Sequence, residues 1–225
     1  MSLTAEFGLT RGDAGPLPID LARLPVVEHA PPERLGDRVA YALCKAMRFG
    51  ADVFFRRRYL HRAVVLETVA AVPGMVGATL QHLRSLRVMR GRADMVKVLM
   101  EEAENERMHL MAFVNICQPT LAERLLVLLV QGVFFNAFFL LYLLSPAVAH
   151  RLVGYFEEEA VVSYTRLLEE IDAGRIANLD IPDFARRYWN LPPEAALREL
   201  VVAVRADEQH HRDANHQLAV VERSR

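Results

Sequence analysis

The sequence predicts an all-α fold, in which four long helices form a bundle and two membrane-associated helices lie beside them. Apolar residues recur at helical spacing along most of the chain. Two Glu-x-x-His pairs, Glu106 with His109 and Glu208 with His211, fall on such apolar stripes, and residues three apart share one face of a helix. From Leu125 to Leu144 the chain is nearly uncharged, over the length that a membrane helix needs.

Composition narrows the class of protein. A chain of 225 residues with 52% hydrophobic residues can bury the core of one domain. The formal net charge of −1 gives no indication of a nucleic-acid partner, and the two cysteines form neither a disulfide framework nor a zinc motif. The first residues lack the apolar core of a signal peptide and carry acidic residues that transit peptides avoid, which predicts a bacterial chain or a mature form.

The first 36 residues differ from the rest of the chain. Five prolines lie in residues 1–36, so we expect an extended N-terminal arm rather than a helix. Its apolar residues would pack on another surface, such as a second subunit, although a partly ordered tail explains the composition equally well. Residues 37–220 are expected to form one helical domain, and residues 221–225 a short tail.

The first half of the domain predicts three helices. Residues 34–60 form an amphipathic pattern that ends in three arginines, which suits either a membrane surface or a core-packed helix with a solvated end. Residues 61–90 carry Glu67, and the Pro73-Gly74 pair should kink this helix or open its hydrogen bonds locally. Residues 93–117 carry the first Glu-x-x-His pair, and a proline ends the helix.

Residues 121–144 point to a membrane, but a single crossing is difficult to reconcile with the other motifs. It would place Glu106 on one side of the bilayer and Glu157 and Glu208 on the other. A second crossing by residues 63–80 would place Glu67 in lipid. We therefore expect a monotopic protein, whose membrane-facing helices lie in one leaflet.

The second half of the domain completes the bundle. Residues 145–174 begin with Ser145 as a helix cap and end at a glycine, and they carry Glu157. Residues 175–192 are predicted to be a loop or short helix. Residues 193–220 carry the second Glu-x-x-His pair on an apolar stripe.

One Glu from each of two helices and one Glu-x-x-His pair from each of the other two make up the ligand set of a ferritin-like di-iron bundle. The six candidates are Glu67, Glu106, His109, Glu157, Glu208 and His211. Four carboxylates balance the charge of two ferrous ions, and imidazole nitrogen suits iron as well. Glu158 or Glu159 remains an alternative to Glu157. Tyr164 lies two turns beyond Glu157 on the same face, where it is either a redox participant or a core tyrosine.

These motifs resemble the alternative oxidase family from about residue 37 to 220. The runs that carry the resemblance are Leu66-Glu67-Thr68, Asn-Glu-Arg-Met-His-Leu at 105–110, Glu-Glu-Glu-Ala at 157–160, and Arg-Ala-Asp-Glu at 205–208 with His211. The resemblance implies a non-haem di-iron ubiquinol oxidase that reduces oxygen to water, is insensitive to cyanide and pumps no protons. It further implies a homodimer on one leaflet of an energy-conserving membrane, which is the bacterial inner membrane on its cytoplasmic side or the mitochondrial inner membrane on its matrix side.

The resemblance also assigns roles to individual residues. It implies that the six ligand candidates bind iron, with the histidines as direct ligands or one step removed, and that Tyr164 carries a radical. Positions that line the quinol pocket match Arg62, Leu66, Glu159, Ala160 and Ser163. A supporting hydrogen-bond network matches Asn105, Asp207, Tyr188 and Trp189.

The sequence departs from the family pattern at two points. Val162 replaces a histidine found in many members, and no cysteine precedes Cys44, so thiol regulation and activation by 2-oxo acids are not expected.

The nearest alternative function is a di-iron hydroxylase of quinone synthesis, which would add oxygen to its substrate. A ferritin-like iron store is disfavoured by residues 121–144, and a pure interaction protein would leave the six ligand candidates unexplained.

Overall fold

The computed structural model describes residues 29–89 and 93–224, and residues 1–28 of the expected arm lie outside this part. The described residues form helices and no β-strand beyond one isolated bridge. The helices are α1 (Leu35–Phe55), α2 (Tyr59–Val88), α3 (Ala93–Ile116), α4 (Leu121–Leu144), α5 (Pro146–Asp172), α6 (Asp183–Tyr188) and α7 (Leu197–Arg223). The predicted all-α class is confirmed.

Helices α2, α3, α5 and α7 form the bundle. The closest packing joins α5 to α7 and α2 to α3, and apolar side chains from all four helices meet in one core that includes Val64, Phe113, Leu168 and Val201. The short helix α6 places Trp189 against the same core. A buried interior of this kind can hold polar ligands only where they are paired or bind a metal.

The close approach of α2 to α3 depends on a glycine. Helix α2 continues through Pro73, and the next residue, Gly74, faces the backbone of α3. A Cβ atom at Gly74 would lie 2.5 Å from the carbonyl oxygen of Leu99 and 3.0 Å from the Cβ of Ala103. The missing side chain therefore lets the two helices, each of which carries ligand candidates, lie side by side.

The boundary between α1 and α2 differs from the prediction. The predicted helix 34–60 ends instead at Phe55, and the arginine run forms the turn to α2. Arg56 has a φ of 52°, a left-handed conformation that ends a helix. Arg58 then bonds the carbonyl oxygen of Phe54 and pairs with Glu123, so side-chain contacts stabilise the turn.

Helices α1 and α4 leave apolar side chains exposed. Arg58, just after α1, pairs with Glu123 near the start of α4, and Gly36 near the start of α1 abuts Val148 just beyond the end of α4. Helix α1 packs chiefly on α5, and α4 packs on α2 and α5. The exposed apolar residues of α1 and α4 include Val39, Leu43, Met47, Phe49, Val53, Leu125, Leu128, Leu129, Val133 and Leu140.

Among the described helices, α2 and α4 are long and apolar enough to cross a membrane, judged by length and composition. Half of the apolar window of α2 is buried inside the bundle, but only 11% of the α4 window is. Helix α2 is thus a core helix by its packing, whereas α4 is covered by very little of the protein.

Candidate metal centre

The six predicted ligand residues meet in the middle of the bundle, and all six are buried. They form two overlapping groups, each of which offers ligand atoms within 4.8 Å of one another. One group is Glu67, Glu106, His109 and Glu208, and the other is Glu106, Glu157, Glu208 and His211. Because Glu106 and Glu208 belong to both groups, the geometry is that of two adjacent metal positions with two shared carboxylates.

The histidines face the carboxylates through their Nδ1 atoms. His109 Nδ1 lies 3.3 Å from Glu106 Oε2 and 3.4 Å from Glu208 Oε1. His211 Nδ1 lies 2.6 Å from Glu106 Oε1, the other oxygen of the same carboxylate. The two oxygens of Glu106 therefore point to different imidazoles, as expected of a ligand between two metal positions.

The donor set fits a metal pair because several of its buried atoms are unsatisfied. Among the described residues, both oxygens of Glu106, one oxygen each of Glu67 and Glu208, and the Nδ1 atoms of His109 and His211 form no hydrogen bond of suitable geometry, although several of them lie close together. Buried polar atoms are rarely left without partners. Carboxylate oxygen and imidazole nitrogen together suit iron and related divalent ions.

The electrostatics of the ligand cluster also favour the binding of cations. Burial and then the charge of Glu106 raise the pKa of Glu67 to about 8. Burial and then Glu208 raise the pKa of Glu157 well above its usual range. Burial alone would lower the pKa of His211, but Glu106 raises it to about 9. The site therefore retains protons where a metal would supply positive charge.

The structure distinguishes between the three consecutive glutamates of α5. Glu157 belongs to the ligand cluster. Glu158 is buried on another side, where it accepts hydrogen bonds from His29, His216 and the backbone of Ala30. Glu159 pairs instead with Lys45 and Arg48 of α1. Of the three, only Glu157 thus occupies a ligand position.

A hydrogen-bond network fixes the orientation of His109. Its Nε2 atom lies 3.2 Å from Asp207 Oδ2, and the same oxygen accepts hydrogen bonds from Trp189 at 2.7 Å and Asn105 at 3.1 Å. Asn105 also bonds the hydroxyl of Tyr188. The structure thus brings together all four residues of the expected network, and they turn the Nδ1 atom of His109 toward the carboxylates.

A cavity of about 190 Å³ leads from α1 and α4 to the ligand cluster. Its lining includes Glu67, Glu106, Glu157, Glu208 and Tyr164 of the bundle, together with Cys44 and Met47 of α1 and Phe134 of α4. The five residues expected to form the quinol pocket, Arg62, Leu66, Glu159, Ala160 and Ser163, all line it. A mostly apolar cavity of this kind, with few polar groups, is typical of a small-molecule site.

Several residues of the site were not predicted. Arg48 lines the cavity and bonds Glu159, Ser163 and Asp52, and Asp52 in turn pairs with Arg62. The spacing of Arg48 and Asp52, four apart, could have indicated an intrahelical pair but not its place at a cavity. Glu102 and Asn215 were also missed as a contact, although each lies one helical turn from a ligand candidate on the same stripe.

The comparisons with known proteins agree on one family. The family described as alternative oxidase matches residues 21–220. "Ubiquinol oxidase, mitochondrial" of Batrachochytrium dendrobatidis is 54% identical over 210 residues, 91% of this chain and 66% of that protein. "Ubiquinol oxidase 2, mitochondrial" of Glycine max is 56% identical over 191 residues, 85% of this chain and 57% of that protein. "Ubiquinol oxidase 2, mitochondrial" of Arabidopsis thaliana is 48% identical over 223 residues, 95% of this chain and 63% of that protein. The chain spans less than two thirds of the length of these relatives.

Proposed function

Because the chain belongs to the alternative oxidase family, we propose that it is a ubiquinol oxidase that reduces oxygen to water at a di-iron centre in its helix bundle. The observation that carries this proposal is the cavity that joins the apolar outer helices to the two overlapping ligand groups. In each full cycle, two quinols release four electrons and four protons, and one oxygen molecule takes them up to form two waters.

The six buried residues would hold the two irons, with Glu106 and Glu208 shared between them. When bound, the iron pair supplies the redox chemistry that connects quinol oxidation to oxygen reduction. The four carboxylates neutralise the four positive charges of a ferrous pair, which makes burial in an apolar bundle tolerable. A hydrogen bond from His109 Nε2 to Asp207 holds the imidazole ring, and such partners usually orient metal-binding histidines.

The cavity would bind the quinol ring between apolar walls and a few polar groups. Leu66 and Ala160 offer apolar surface, while Arg62, Glu159 and Ser163 can bond the ring oxygens. Glu159 is the candidate to accept a proton from the quinol, since Lys45 and Arg48 hold its carboxylate at the cavity wall. Tyr164 lies between the cavity and the ligand cluster and is the candidate electron donor among the protein side chains.

The exposed apolar faces of α1 and α4 support seating in one leaflet of a membrane. Ubiquinol is dissolved in lipid, and the lining of the cavity includes residues of these two helices. Flotation with lipid vesicles tests this seating. Replacing Leu125, Leu129 and Val133 together by serine should abolish flotation, while replacing three exposed residues of α7 should not.

A homodimer is the proposed assembly. Helices α2 and α3, which pack on each other, leave Leu83, Leu86, Met100 and Met111 exposed. Large apolar side chains that stay exposed along a pair of helices are often covered by a protein partner. Light scattering in detergent, corrected for bound detergent, should give the mass of two chains.

Oxygen uptake with a short-chain ubiquinol tests the function directly. The protein, loaded with Fe²⁺, should consume oxygen in the presence of cyanide and form two quinones for each oxygen molecule. The Glu106→Ala variant serves as the inactive control. A hydroxylated product would instead assign the protein to the hydroxylases of quinone synthesis, and an iron-loaded protein without uptake would overturn the proposal.

A further inference from the structure

A second chain of hydrogen-bonded side chains crosses the bundle and shares no residue with the His109 network. Its members are all buried, and they come from α2, α4, α5, α7 and α3 in turn: Gln81, Tyr142, His150, Asn215 and Glu102. The links measure 3.0 Å from Gln81 to Tyr142, 2.9 Å from Tyr142 to His150 and 3.0 Å from His150 to Asn215. Asn215 Nδ2 then lies 3.0 and 2.9 Å from the two oxygens of Glu102.

The direction of each hydrogen bond follows from its end at Glu102. A carboxylate accepts hydrogen bonds, so Asn215 presents its amide nitrogen to Glu102 and its oxygen to His150. His150 must then donate from Nδ1 and accept at Nε2 from the hydroxyl of Tyr142. This requires a neutral imidazole, and burial lowers the pKa of His150 accordingly. A chain in which every donor is assigned holds its members in one arrangement.

The chain of hydrogen bonds ends next to the candidate metal centre. Glu102 precedes Glu106 by one turn on α3, and Asn215 follows His211 by one turn on α7. Asn215 Nδ2 also lies 3.0 Å from the carbonyl oxygen of His211. The contact between Glu102 and Asn215 therefore joins α3 to α7 at the level of Glu106 and His211.

Glu102 belongs to neither ligand group, and in the described part of the chain it forms no ion pair within 4.0 Å. Holding a buried carboxylate with a single amide is unfavourable for folding unless positive charge lies nearby. The nearest sources of that charge are the imidazole of His211 and the metal position that it would bind. Positive charge at this place, from a metal ion or from a protonated His211, therefore favours a carboxylate at position 102.

We propose, on the basis of the proposed function, that Glu102 and Asn215 are positioning residues for the metal held by Glu106, Glu157, Glu208 and His211. The Asp207 network supports the other position through His109. The two metal positions, although they share two carboxylates, thus have separate supports. Loss of one support should weaken one position more than the other.

Anaerobic titration of the metal-free protein with ⁵⁷Fe²⁺ tests the separation, because Mössbauer spectra distinguish two inequivalent irons. The His211→Ala variant first identifies the signal of the position that depends on His211. Glu102→Gln should weaken binding at that same position by about 10- to 100-fold and leave the other within about 3-fold. Tyr188→Phe, which loosens the Asp207 network, is the matched control and should affect the other signal.

A double variant that exchanges the carboxylate and the amide tests whether metal affinity can be rescued. In Glu102→Gln/Asn215→Asp the net charge is unchanged, the new amide can donate to the new carboxylate, and that carboxylate can still accept from His150. The one hydrogen bond lost is the one from position 215 to the carbonyl oxygen of His211. Affinity should return to within about 5-fold of the unmodified protein, whereas Asn215→Asp alone should not recover. Tyr142→Phe, two links away from Asn215, should weaken the same position by only a few fold, and it covers the case in which Asn215 variants fail to fold.

Three outcomes would overturn the inference. Glu102→Gln could bind both irons as the unmodified protein does, it could weaken both positions equally, or the double variant could be as weak as Asn215→Asp. Failure of the unmodified protein to bind two ferrous ions is a different result, since it would overturn the proposed function itself.

Discussion

The hydroxyl of Tyr164 on α5 donates a hydrogen bond to Glu67 on α2, across 97 positions of the chain. Burial and then the charge of Glu67 raise the pKa of Tyr164 well above its usual range, so the phenol keeps its proton. Its ring stacks on Phe113 at a centroid distance of 5.7 Å and also lines the cavity. The phenol is therefore a direct bridge between the cavity wall and a ligand candidate.

We expect Tyr164→Phe to retain iron and to lose quinol oxidase turnover. The substitution removes only the hydroxyl, and the ring can keep its stacking on Phe113. Iron content by elemental analysis and oxygen uptake separate the two effects. Full activity in an iron-loaded variant would reduce Tyr164 to a packing residue.

Because Glu106 belongs to both ligand groups, its substitution should remove more metal than the substitution of a ligand that belongs to one group. Glu106→Ala should lose both irons, because the carboxylate neutralises charge at both positions. Glu157→Ala belongs to the second group only and should retain about one iron per chain. Iron counts per chain after gel filtration distinguish these results, and an active, iron-loaded Glu106→Ala would disprove the ligand assignment.

The metal-free protein should lose stability as the pH rises. The folded state raises the pKa of Glu67 from 4.5 to about 8 and that of His211 from 6.5 to about 9. Between these values the folded chain binds more protons than the unfolded chain, so stability falls by up to about 1.4 kcal/mol per pH unit for each such proton. Both groups act in the same direction from pH 6.5 to about 8.

The thermal midpoint of the metal-free protein, measured across this range, checks the prediction. Iron should reverse the trend, because it displaces the protons and binds more tightly as the pH rises. A midpoint that rises with pH in the metal-free protein would contradict the proposed charge state of the site.

Thiol reagents and 2-oxo acids should leave the activity unchanged. Burial and then the charge of Glu159 raise the pKa of Cys44 to about 12, so the thiolate that such reagents require is scarce. Burial also raises the pKa of Cys117. Iodoacetamide should therefore label the folded protein slowly and the unfolded protein quickly. Stimulation of oxygen uptake by a thiol or by pyruvate would refute the prediction.

Gly74→Ala should destabilise the bundle by about 1–3 kcal/mol, because the added methyl group would meet the backbone of Leu99 and separate α2 from α3. Gly50→Ala is the matched control, since a Cβ atom there meets nothing within 4 Å. It should instead stabilise helix α1 by about 0.5–1 kcal/mol. Denaturant unfolding in detergent measures the change in the free energy of unfolding for both variants. Equal changes would show that they arise from helix propensity and not from the contact between α2 and α3.

The sequence predicts much of this arrangement because the site repeats a periodic pattern. Glu106 and His109 share a stripe with Leu99 and Phe113, and the stripe defines both the buried face of α3 and its ligands. The same reasoning places Glu208 and His211 on α7. Helical spacing within one segment is local information, so a single chain reveals it.

Contacts between helices are less accessible. Helical spacing alone could not choose among Glu157, Glu158 and Glu159, because the rotation of α5 is set by partners such as Lys45 and His216. The end of α1 at Phe55 depends on the left-handed Arg56 and on the distant Glu123. The rotation of α5 and the end of α1 depend on residues that are distant in the sequence, so helical periodicity cannot predict them.

The exposed faces of α1 and α4 have a practical consequence for anyone who measures the stability of this protein. An amphiphile that covers those faces binds the native chain, and through mass action it contributes to the free energy of unfolding. A melting temperature is therefore a joint property of the polypeptide and of the micelle around it. Variants can be ranked only in one detergent at one concentration, and dilution below the micellar threshold should precipitate a chain whose interior is still correctly folded.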